Sequence, residues 1–499
     1  MHDFASPIPL TIPRWLRTLL LGILGICGVA YFIVLAEHIS PYASSSDSSG
    51  YFNNARLLGR GDFFTPIRAL PEHSATQFGN GAFQPLGFEV QSENERMAPT
   101  YPIGLPLHLL VVSWFVGWGH AAIAVNLLAV LASGGFFWGL ARQLDLPVIW
   151  AGVGVFWLWV CPLFLFSALQ PMSDLLALAW SLAVLYGALR ARDEWRWGLA
   201  CGFALGFAVL VRPTNALLLA PVLVGVGFRW KSLLAIALAG LPAAIIFTFY
   251  NWRVYGSPFM TGYGDISAIF GPTFMRHNLA HFAYWIPALL SPAIVPAFFP
   301  PFFPQTRTRG CATLAVWFLT LTGFYTFYYH AGETWWYLRF ILPGFPGLIF
   351  IALASLSAAV QSLRLRAAFT ASVATGVLLI AACWEIKKAH DFEIMTLARG
   401  EKNYPDAAHW AQKNIPANSA IFCMQVSGAF FYYSDFLLVR WDMIEPAQHD
   451  TLLRIIAEQK RPVYAALFEF ETPRALEKIG GRWTKLTTIG QVTFWQRQS

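Results

Sequence analysis

The sequence is divided into a series of apolar runs, each about as long as a membrane-spanning helix. A helix needs about 20 apolar residues to cross the hydrocarbon core of a bilayer. The first run is Trp15 to Ala36. The others lie at about 121–140, 147–167, 174–189, 197–211, 215–228, 232–250, 283–303, 311–328, 340–358 and 367–384. These runs predict a polytopic α-helical membrane protein with about eleven spans.

The composition argues against a soluble protein and against a nucleic-acid-binding one. Charged residues make up 12% of the 499 residues, whereas soluble domains average about 25%. The net charge of +7 is also compatible with nucleic acid. However, the arginines and lysines lie in short clusters between apolar runs, as the positive-inside rule predicts. We therefore expect the lipid bilayer as a partner, and no nucleic acid.

The basic clusters predict which loops face the cytoplasm. They are Arg142; Arg190, Arg192 and Arg196; Arg229 and Lys231; Arg307 and Arg309; and Arg364 and Arg366. Segment 101–118 is short, contains two prolines and ends in Trp118, so we interpret it as a re-entrant or surface helix. If this segment does not cross, every cluster faces the cytoplasm.

The same alternation of cytoplasmic and outer loops orients the rest of the chain. Arg14 and Arg17 lie at the start of the first run and place the N-terminus in the cytoplasm. That run is interpreted as a retained anchor, because no convincing signal-peptidase site follows it. Residues 37–100 and 385–499 are then extracytoplasmic. We expect a multi-pass protein of the cell inner (plasma) membrane.

The charge pattern changes after residue 384 and divides the chain into a transmembrane module, 1–384, and a small C-terminal α/β domain, 385–499. Helical patterns occur at Asp406–Lys413, Gln448–Glu458 and Pro473–Ile479. Strand patterns occur at AIFCMQV, PVYAALFEF, Trp483–Thr488 and Val492–Gln496. This domain contains no phosphate loop, nucleophile elbow or metal-binding motif. A cap over the membrane site, or a substrate guide, is therefore favoured over a separate enzyme.

Five polar segments of the membrane module share the outer face under this topology. They are the loop 37–100 with Asp47, SALQPMSD ending at Asp174, RPTN beginning at Arg212, Asn251–Phe282 with GSPFMTGYGD, and Tyr328–Phe340 with YYHAGETWWYLRF. The inner loops are short and merely basic. Any chemistry is therefore expected on the extracytoplasmic side.

Two carboxylates are candidates for catalysis. Asp47 lies in SSSDSSGYF, where a membrane enzyme would keep a general base. Tyr51, four residues later, is a candidate for binding the substrate. For an isolated aspartate, however, a solvated turn is the favoured explanation. Asp174 begins an apolar run, and a carboxylate at a helix N-terminus is itself stabilising by about 0.3–1 kcal/mol. Each acid thus has a structural alternative.

Two arginines and a polar turn are candidates for binding a phosphate or a substrate. Arg339 suits a lipid phosphate at headgroup depth, although an arginine there can also snorkel without a function. Arg212 is alternatively a helix-end arginine. His330, Glu333 and Tyr337 crowd the turn before Arg339, where an aromatic belt is the alternative.

The remaining polar features point less clearly to a function. His108, in the proline-broken segment, is a candidate for facing a polar cavity. The sequence has no HExxH or DxD motif, and its six cysteines lack metal-ligand spacing. We predict no cofactor and no metal site. A divalent ion held by Asp47, Asp174 and Glu333 remains an open alternative.

Six motifs in order resemble the GT-C glycosyltransferase superfamily, nearest the protein O-mannosyltransferase-like and aminoarabinose-transferase-like branch. They are DSSGYFNNARLLGRGDFF, YPIGLPL, QPMSD, GFALGFAVLVRPTNALLLAPVL, NWRVYGSPFMTGYG and YLRFILPGFP. They extend over roughly 300 residues and leave out the C-terminal domain. The resemblance implies inverting transfer of a sugar from a polyprenyl-phosphate carrier to a glycan, lipid or protein acceptor outside the cytoplasm.

The resemblance also implies roles for particular residues. Asp47 matches the loop carboxylate that acts as base or orients the acceptor, and Asp174 matches a second acid near the carrier phosphate. Arg339 and Arg212 match cations near that phosphate. Ser48 stands where some relatives have a second acid beside the first, and Thr100 and Tyr101 stand where the aminoarabinose branch has a lysine.

Two other functions fit a membrane protein of this kind. One is a transporter or flippase for lipid-linked sugars, and the other is a non-catalytic scaffold. Transporters usually carry ionisable residues near the bilayer midplane and contain paired repeats. Here most ionisable residues lie at one rim and no internal repeat is evident, which favours a transferase.

Overall fold

The computed structural model describes residues 14–79, 81–91, 95–264, 267, 269–299, 303–362 and 367–498. Parts of the sequence predictions lie outside these residues. They include the N-terminus before Arg14, Asp265 of the GSPFMTGYGD segment, residues 300–302 of the apolar run 283–303, and the basic pair Arg364 and Arg366.

The membrane module is mostly helical, and each predicted apolar run coincides with a helix or a bent helix pair among the described residues. The helices are α1 (Arg14–His38), α2 (Ser46–Gly59), α3 (Gly104–Val116), α4 (Trp118–Gln143), α5 (Val148–Val160), α6 (Pro162–Ala168), α7 (Ser173–Ala191), α8 (Trp197–Val211), α9 (Leu219–Val226), α10 (Trp230–Tyr255), α11 (Met275–Leu290), α12 (Arg309–Tyr325), α13 (Phe345–Ser362) and α14 (Ala367–Asp391). Short 3₁₀ segments precede or follow several of them, including Pro213–Leu218, Pro292–Phe298 and Trp335–Phe340.

Length and composition identify the helices that can cross a bilayer. Among the described residues, five helices qualify alone, and two bent pairs raise the number to seven. The bends are 61° between α5 and α6 and 120° between α11 and Pro292–Phe298. In both, a proline begins the second piece, where it lacks the N–H that would continue the helix. The polytopic helical fold is confirmed, while the total of about eleven spans remains a prediction.

The polar loop 37–100 is more ordered than its composition suggests. Asp47 lies in the first turn of α2, a full helix rather than a solvated turn. After α2, three short strands form an antiparallel sheet in the order β1-β3-β2: β1 (Thr65–Pro66), β2 (Phe88–Gln91) and β3 (Arg96–Pro99). Most of α2 is buried although its sequence is largely polar. Its helical pattern is therefore weak in the sequence.

The segment 101–118 contains α3, which at 13 residues is about 20 Å long. That is shorter than the ~30 Å hydrocarbon core. The predicted non-crossing of this segment remains a prediction. The first residue of α3, Gly104, lies directly against the end of α8, and a Cβ there would be 2.3 Å from the backbone nitrogen of Val211.

Gly104→Ala is expected to destabilise the protein by about 1–3 kcal/mol, because the added methyl group would force α3 away from the backbone of α8. Thermal unfolding of the detergent-solubilised protein measures this loss. Gly135→Ala is the control, since a Cβ at this exposed position of α4 meets no atom within 4 Å. A Gly104→Ala variant as stable as Gly135→Ala would contradict the close packing of α3 on α8.

The C-terminal domain is a mixed five-stranded sheet with helices. Its sheet order is β5-β4-β6-β8-β7, with β4 parallel to β5 and β6, and β8 antiparallel to β6 and β7. The strands are β4 (Ala420–Cys423), β5 (Leu437–Arg440), β6 (Val463–Phe468), β7 (Trp483–Ile489) and β8 (Val492–Arg497), and the helices are α15 (Leu397–Asn414), α16 (Ser427–Tyr433), α17 (His449–Glu458) and α18 (Thr472–Ile479). The sequence patterns did not predict α16 and β5.

The C-terminal domain packs on α2, the helix that carries Asp47. Asn53 of α2 donates to the carbonyl of Gly428, the second residue of α16, over 3.2 Å. A Cβ on Gly428 would be 2.3 Å from the hydroxyl of Ser49. The helix α14 leads into this domain and continues past residue 384 to Asp391. Helix α2 is thus held between the membrane module and the C-terminal domain.

Candidate active site

The carboxylate of Asp47 is held by two side chains from distant parts of the chain. Its Oδ1 accepts a hydrogen bond from the Tyr101 hydroxyl at 2.7 Å, and its Oδ2 lies 2.8 Å from Nη2 of Arg339. The Asp47 side chain is 25% exposed. Each carboxylate oxygen has a further lone pair, so Asp47 can still accept a proton or a hydrogen bond from a substrate.

The second carboxylate, Asp174, is buried. It lies in the first turn of α7, its side chain is 2% exposed, and it pairs with the guanidinium of Arg212. Arg212 follows the last residue of α8 and also donates to the carbonyl of Arg339 at 3.4 Å. A carboxylate so enclosed can act on a substrate only through its arginine partners.

Arg339 joins the two carboxylates into one network. Besides its bond to Asp47, its Nη1 lies 4.0 Å from Asp174 Oδ2 and 2.8 Å from the sulfur of Met172. A thioether is a weak acceptor, and Nε of Arg339 is buried without a hydrogen-bond partner among the described residues. The guanidinium therefore has donors that the protein does not satisfy well, as a site for an anionic ligand would.

Tyrosines surround this network. The Tyr51 hydroxyl donates to Ser173 at 3.0 Å, next to Asp174, and its ring packs 4.9 Å from that of Tyr101. Tyr51 is 4% exposed, so it supports the start of α7 from a buried position. Tyr263, from the loop after α10, has its ring 6.3 Å from that of Tyr101 and is 48% exposed. Tyr263 is the more accessible of these rings.

The turn before Arg339 forms an exposed rim. His330 Nδ1 lies 2.8 Å from Glu333, both side chains are more than a third exposed, and the His330 ring stacks on Tyr337 at 5.4 Å. The ring of Tyr337 lies 5.8 Å from the guanidinium carbon of Arg339. These three predicted residues are thus grouped beside the network and open to solvent.

His108 lies elsewhere, one turn into α3. Its Nδ1 is 2.7 Å from the carbonyl of Gly104, and its Nε2 accepts from the indole of Trp180 at 3.2 Å. Both ring nitrogens are therefore occupied by structural contacts, and no contact joins His108 to the network of Asp47 and Arg339 in the described residues.

The C-terminal domain contributes a residue that sequence reasoning missed. Glu401 of α15 accepts a hydrogen bond from the Ser44 hydroxyl and another from the backbone N–H of Ser45, just before Asp47. Burial, together with the charge of Asp47, raises the pKa of Glu401 to about 7, although the Ser45 N–H opposes the shift. No local motif marks Glu401, whereas Tyr101 lies in YPIGLPL.

The pKa of Glu401 predicts a dependence of stability on pH. An unfolded glutamate has a pKa of about 4.3, so between that value and about 7 the folded protein binds a proton that the unfolded protein lacks. The free energy of unfolding should therefore fall as pH rises through this window. Glu401→Gln should flatten this fall in thermal unfolding between pH 5 and 8. Exposed Glu477→Gln should not, and equal slopes in wild type and Glu401→Gln would contradict the assignment.

The three acids weighed as metal ligands do not form a common group. Arg339 lies between Asp47 and Asp174, and Glu333 pairs with His330. Among the described residues, no three His, Cys, Asp or Glu side chains are close enough to hold a metal ion. The arrangement instead combines an accessible carboxylate with a guanidinium that has unsatisfied donors. Such a pair can remove a proton from a hydroxyl and stabilise a departing oxyanion.

Comparison with known proteins found similarity in structure alone. No protein-family model and no curated protein sequence match the chain. ArnT from Cupriavidus metallidurans, solved with undecaprenyl phosphate, has a TM-score of 0.60 at 13% identity, over 96% of this chain and 98% of ArnT. The oligosaccharyltransferase AglB from Archaeoglobus fulgidus, solved with an inhibitory peptide and a dolichol-phosphate, has a TM-score of 0.54 at 12% identity, over 97% and 74%.

A third similar structure is the arabinofuranosyltransferase AftD from Mycobacteria. Its TM-score is 0.53 at 12% identity, and the match covers 98% of this chain and 42% of AftD. All three neighbours are GT-C glycosyltransferases. Two of the matches include nearly the whole of this chain together with most of the neighbour, so the likeness includes the arrangement of the helices and of the C-terminal domain. The chain therefore has the fold of the GT-C membrane glycosyltransferases, as its sequence motifs predict.

Proposed function

We propose that this protein is an inverting glycosyltransferase, which moves a sugar from a polyprenyl-phosphate carrier to an acceptor hydroxyl. The observation that carries the proposal is the network of Asp47, Arg339, Asp174 and Arg212, because an accessible base and an incompletely satisfied guanidinium lie side by side. The fold supports it, since ArnT and AglB were solved with polyprenyl-type phosphates.

In the proposed reaction Asp47 acts on the acceptor. Its carboxylate takes the proton of the acceptor hydroxyl as the oxygen attacks the anomeric carbon of the sugar. Tyr101 and Arg339 hold the two carboxylate oxygens, which fixes the direction of their remaining lone pairs. Attack from the face opposite the carrier inverts the configuration at that carbon.

Arg339 acts on the leaving group. As the bond between the anomeric carbon and the carrier oxygen breaks, the polyprenyl phosphate gains negative charge, which the guanidinium stabilises. The buried pair Asp174 and Arg212 positions Arg339: Asp174 lies 4.0 Å from its Nη1, and Arg212 donates to its carbonyl. Asp174 is in this view a positioning residue rather than a direct participant.

We also propose that this chemistry takes place on the extracytoplasmic side. Helix α7 begins beside Asp174 and ends near Arg190, while α8 begins next to Arg196 and ends at Arg212. The ends of these helices that carry Arg190 and Arg196 are thus opposite the network. Because basic loop residues favour the cytoplasm, the network and the C-terminal domain face outward. The acceptor is then a glycan, lipid or protein of the cell envelope.

The experiment is a transfer assay with purified protein in nanodiscs. Undecaprenyl-phosphate donors carrying mannose, glucose or arabinose would be supplied with a cell-envelope extract as acceptor, and products identified by mass spectrometry. Sugar transfer from at least one donor is expected. Movement of intact donor across vesicles, without cleavage of any donor, would overturn the proposal in favour of a flippase.

A further inference from the structure

A polar cavity lies between α2 and the C-terminal domain. Its volume is about 270 Å³, and the residues that define it include Asn53, Arg56, Arg60, Arg68, Tyr432 and Asp435. Successive residues of a helix are rotated by about 100°, so Arg56 points to the opposite side of α2 from Asp47. It is also about 14 Å further along the helix axis. This cavity is therefore separate from the candidate active site.

Two of its arginines are fixed in place by the C-terminal domain. The guanidinium of Arg56 lies 3.3 Å from the centre of the Tyr432 ring and donates to the Tyr432 carbonyl at 2.8 Å. The guanidinium of Arg68 lies 3.9 Å from the centre of the Phe431 ring and donates to the carbonyl of Ser434. Both planar groups are thus held before any ligand arrives.

The arginines of the cavity carry more positive charge than its acidic residues can neutralise. Asp435 lies 3.2 Å from Arg68, but its side chain is 98% exposed. Solvent weakens an ion pair of this kind. Arg60, which follows the last residue of α2, is exposed, and its guanidinium has no protein partner among the described residues. Three guanidiniums against one solvated carboxylate leave the cavity cationic.

We propose that this cavity is a binding site for a phosphate group, held by Arg56, Arg60 and Arg68. Guanidinium groups match the oxygens of phosphate with paired hydrogen bonds and bind them more strongly than neutral donors do. The cavity is several times larger than one water molecule, whose share of liquid volume is about 30 Å³. A phosphate ester bound there would join α2, which carries Asp47, to the C-terminal domain. The site does not require the transfer reaction.

Arg60 separates this proposal from a purely structural role. Arg56 and Arg68 also fasten the domain to α2 through the carbonyls of Tyr432 and Ser434, so their loss would destabilise the joint in either case. Arg60 makes no such contact among the described residues. Its removal should leave the fold unchanged and weaken only the binding of phosphate.

The test is thermal unfolding of the full-length protein in detergent, titrated with sodium phosphate at constant ionic strength. Phosphate should raise the unfolding temperature of wild type. Arg60→Gln should raise the apparent Kd for phosphate about tenfold, corresponding to one lost charge-assisted hydrogen bond. Arg474→Gln removes an exposed arginine of the C-terminal domain outside the cavity and should behave as wild type.

Nanodiscs show whether the bound phosphate belongs to a lipid headgroup or to a soluble phosphate ester. If the ligand is a lipid headgroup, phosphatidylglycerol nanodiscs should stabilise wild type more than phosphatidylcholine nanodiscs and should abolish the effect of added phosphate. If it is a soluble phosphate ester, both kinds of nanodisc should leave the phosphate effect intact. An equal response of wild type and Arg60→Gln, or no response of wild type to any phosphate, would overturn the site whether or not the protein transfers sugars.

Discussion

Asp47→Asn is expected to reduce the rate of sugar transfer by about 10²–10⁴-fold, the usual contribution of a positioned general base. The amide keeps the size of the side chain but cannot take a proton from the acceptor. Its NH₂ group would also face either Tyr101 or Arg339, both of which donate to the present carboxylate. Initial rates with saturating donor measure the loss in kcat.

A neighbouring aspartate provides the matched control. Asp62 is exposed in the same loop, three residues after the end of α2, so Asp62→Asn should transfer sugar at the wild-type rate. Unfolding temperatures of both variants would show that they remain folded. If Asp47→Asn retained the rate of Asp62→Asn, another group would have to act as the base.

Arg339→Lys is expected to lower kcat/KM for the donor about ten- to hundredfold, with a fall in kcat as well as a rise in KM. Lysine keeps the positive charge but lacks the planar fork that reaches Asp47, Asp174 and a phosphate together. Loss of one or two charge-assisted hydrogen bonds accounts for an effect of this size. Both kinetic constants would be measured with varied donor at fixed acceptor.

The comparison for this variant is Arg276→Lys, at an exposed arginine of α11. It should leave both constants unchanged. The fall in kcat is the decisive part for Arg339, because a residue that bound the carrier equally in the ground and transition states would change KM alone. Wild-type kcat in Arg339→Lys would therefore remove Arg339 from the reaction step.

The helical fold could be predicted from the sequence, because each apolar run has to satisfy its backbone hydrogen bonds within the membrane and a helix does this locally. The runs at 147–167 and 283–303 correspond to bent pairs, and the bends follow from Pro162 and Pro292. Other elements depend on tertiary contacts. Helix α2 is buried by the domains on either side of it, and β5 is fully buried as one edge of the sheet. A local pattern does not predict the burial of either element.

The site could be predicted from the sequence only in part, because it too depends on tertiary contacts. Family-like motifs marked Asp47, Asp174, Arg212 and Arg339, which the fold brings into one network from separate helices. Glu401 is separated from Ser44 by 357 positions, and nothing near it in the sequence marks such a contact.

The most direct measurement of the central claim is a single turnover with excess wild-type protein and a donor labelled at the anomeric carbon. NMR and mass spectrometry would follow the sugar and the carrier together. The proposed chemistry predicts one polyprenyl monophosphate released for each sugar transferred, with the anomeric configuration of the product opposite to that of the donor. A product that keeps the donor's configuration, or a carrier that stays joined to its sugar, would contradict it.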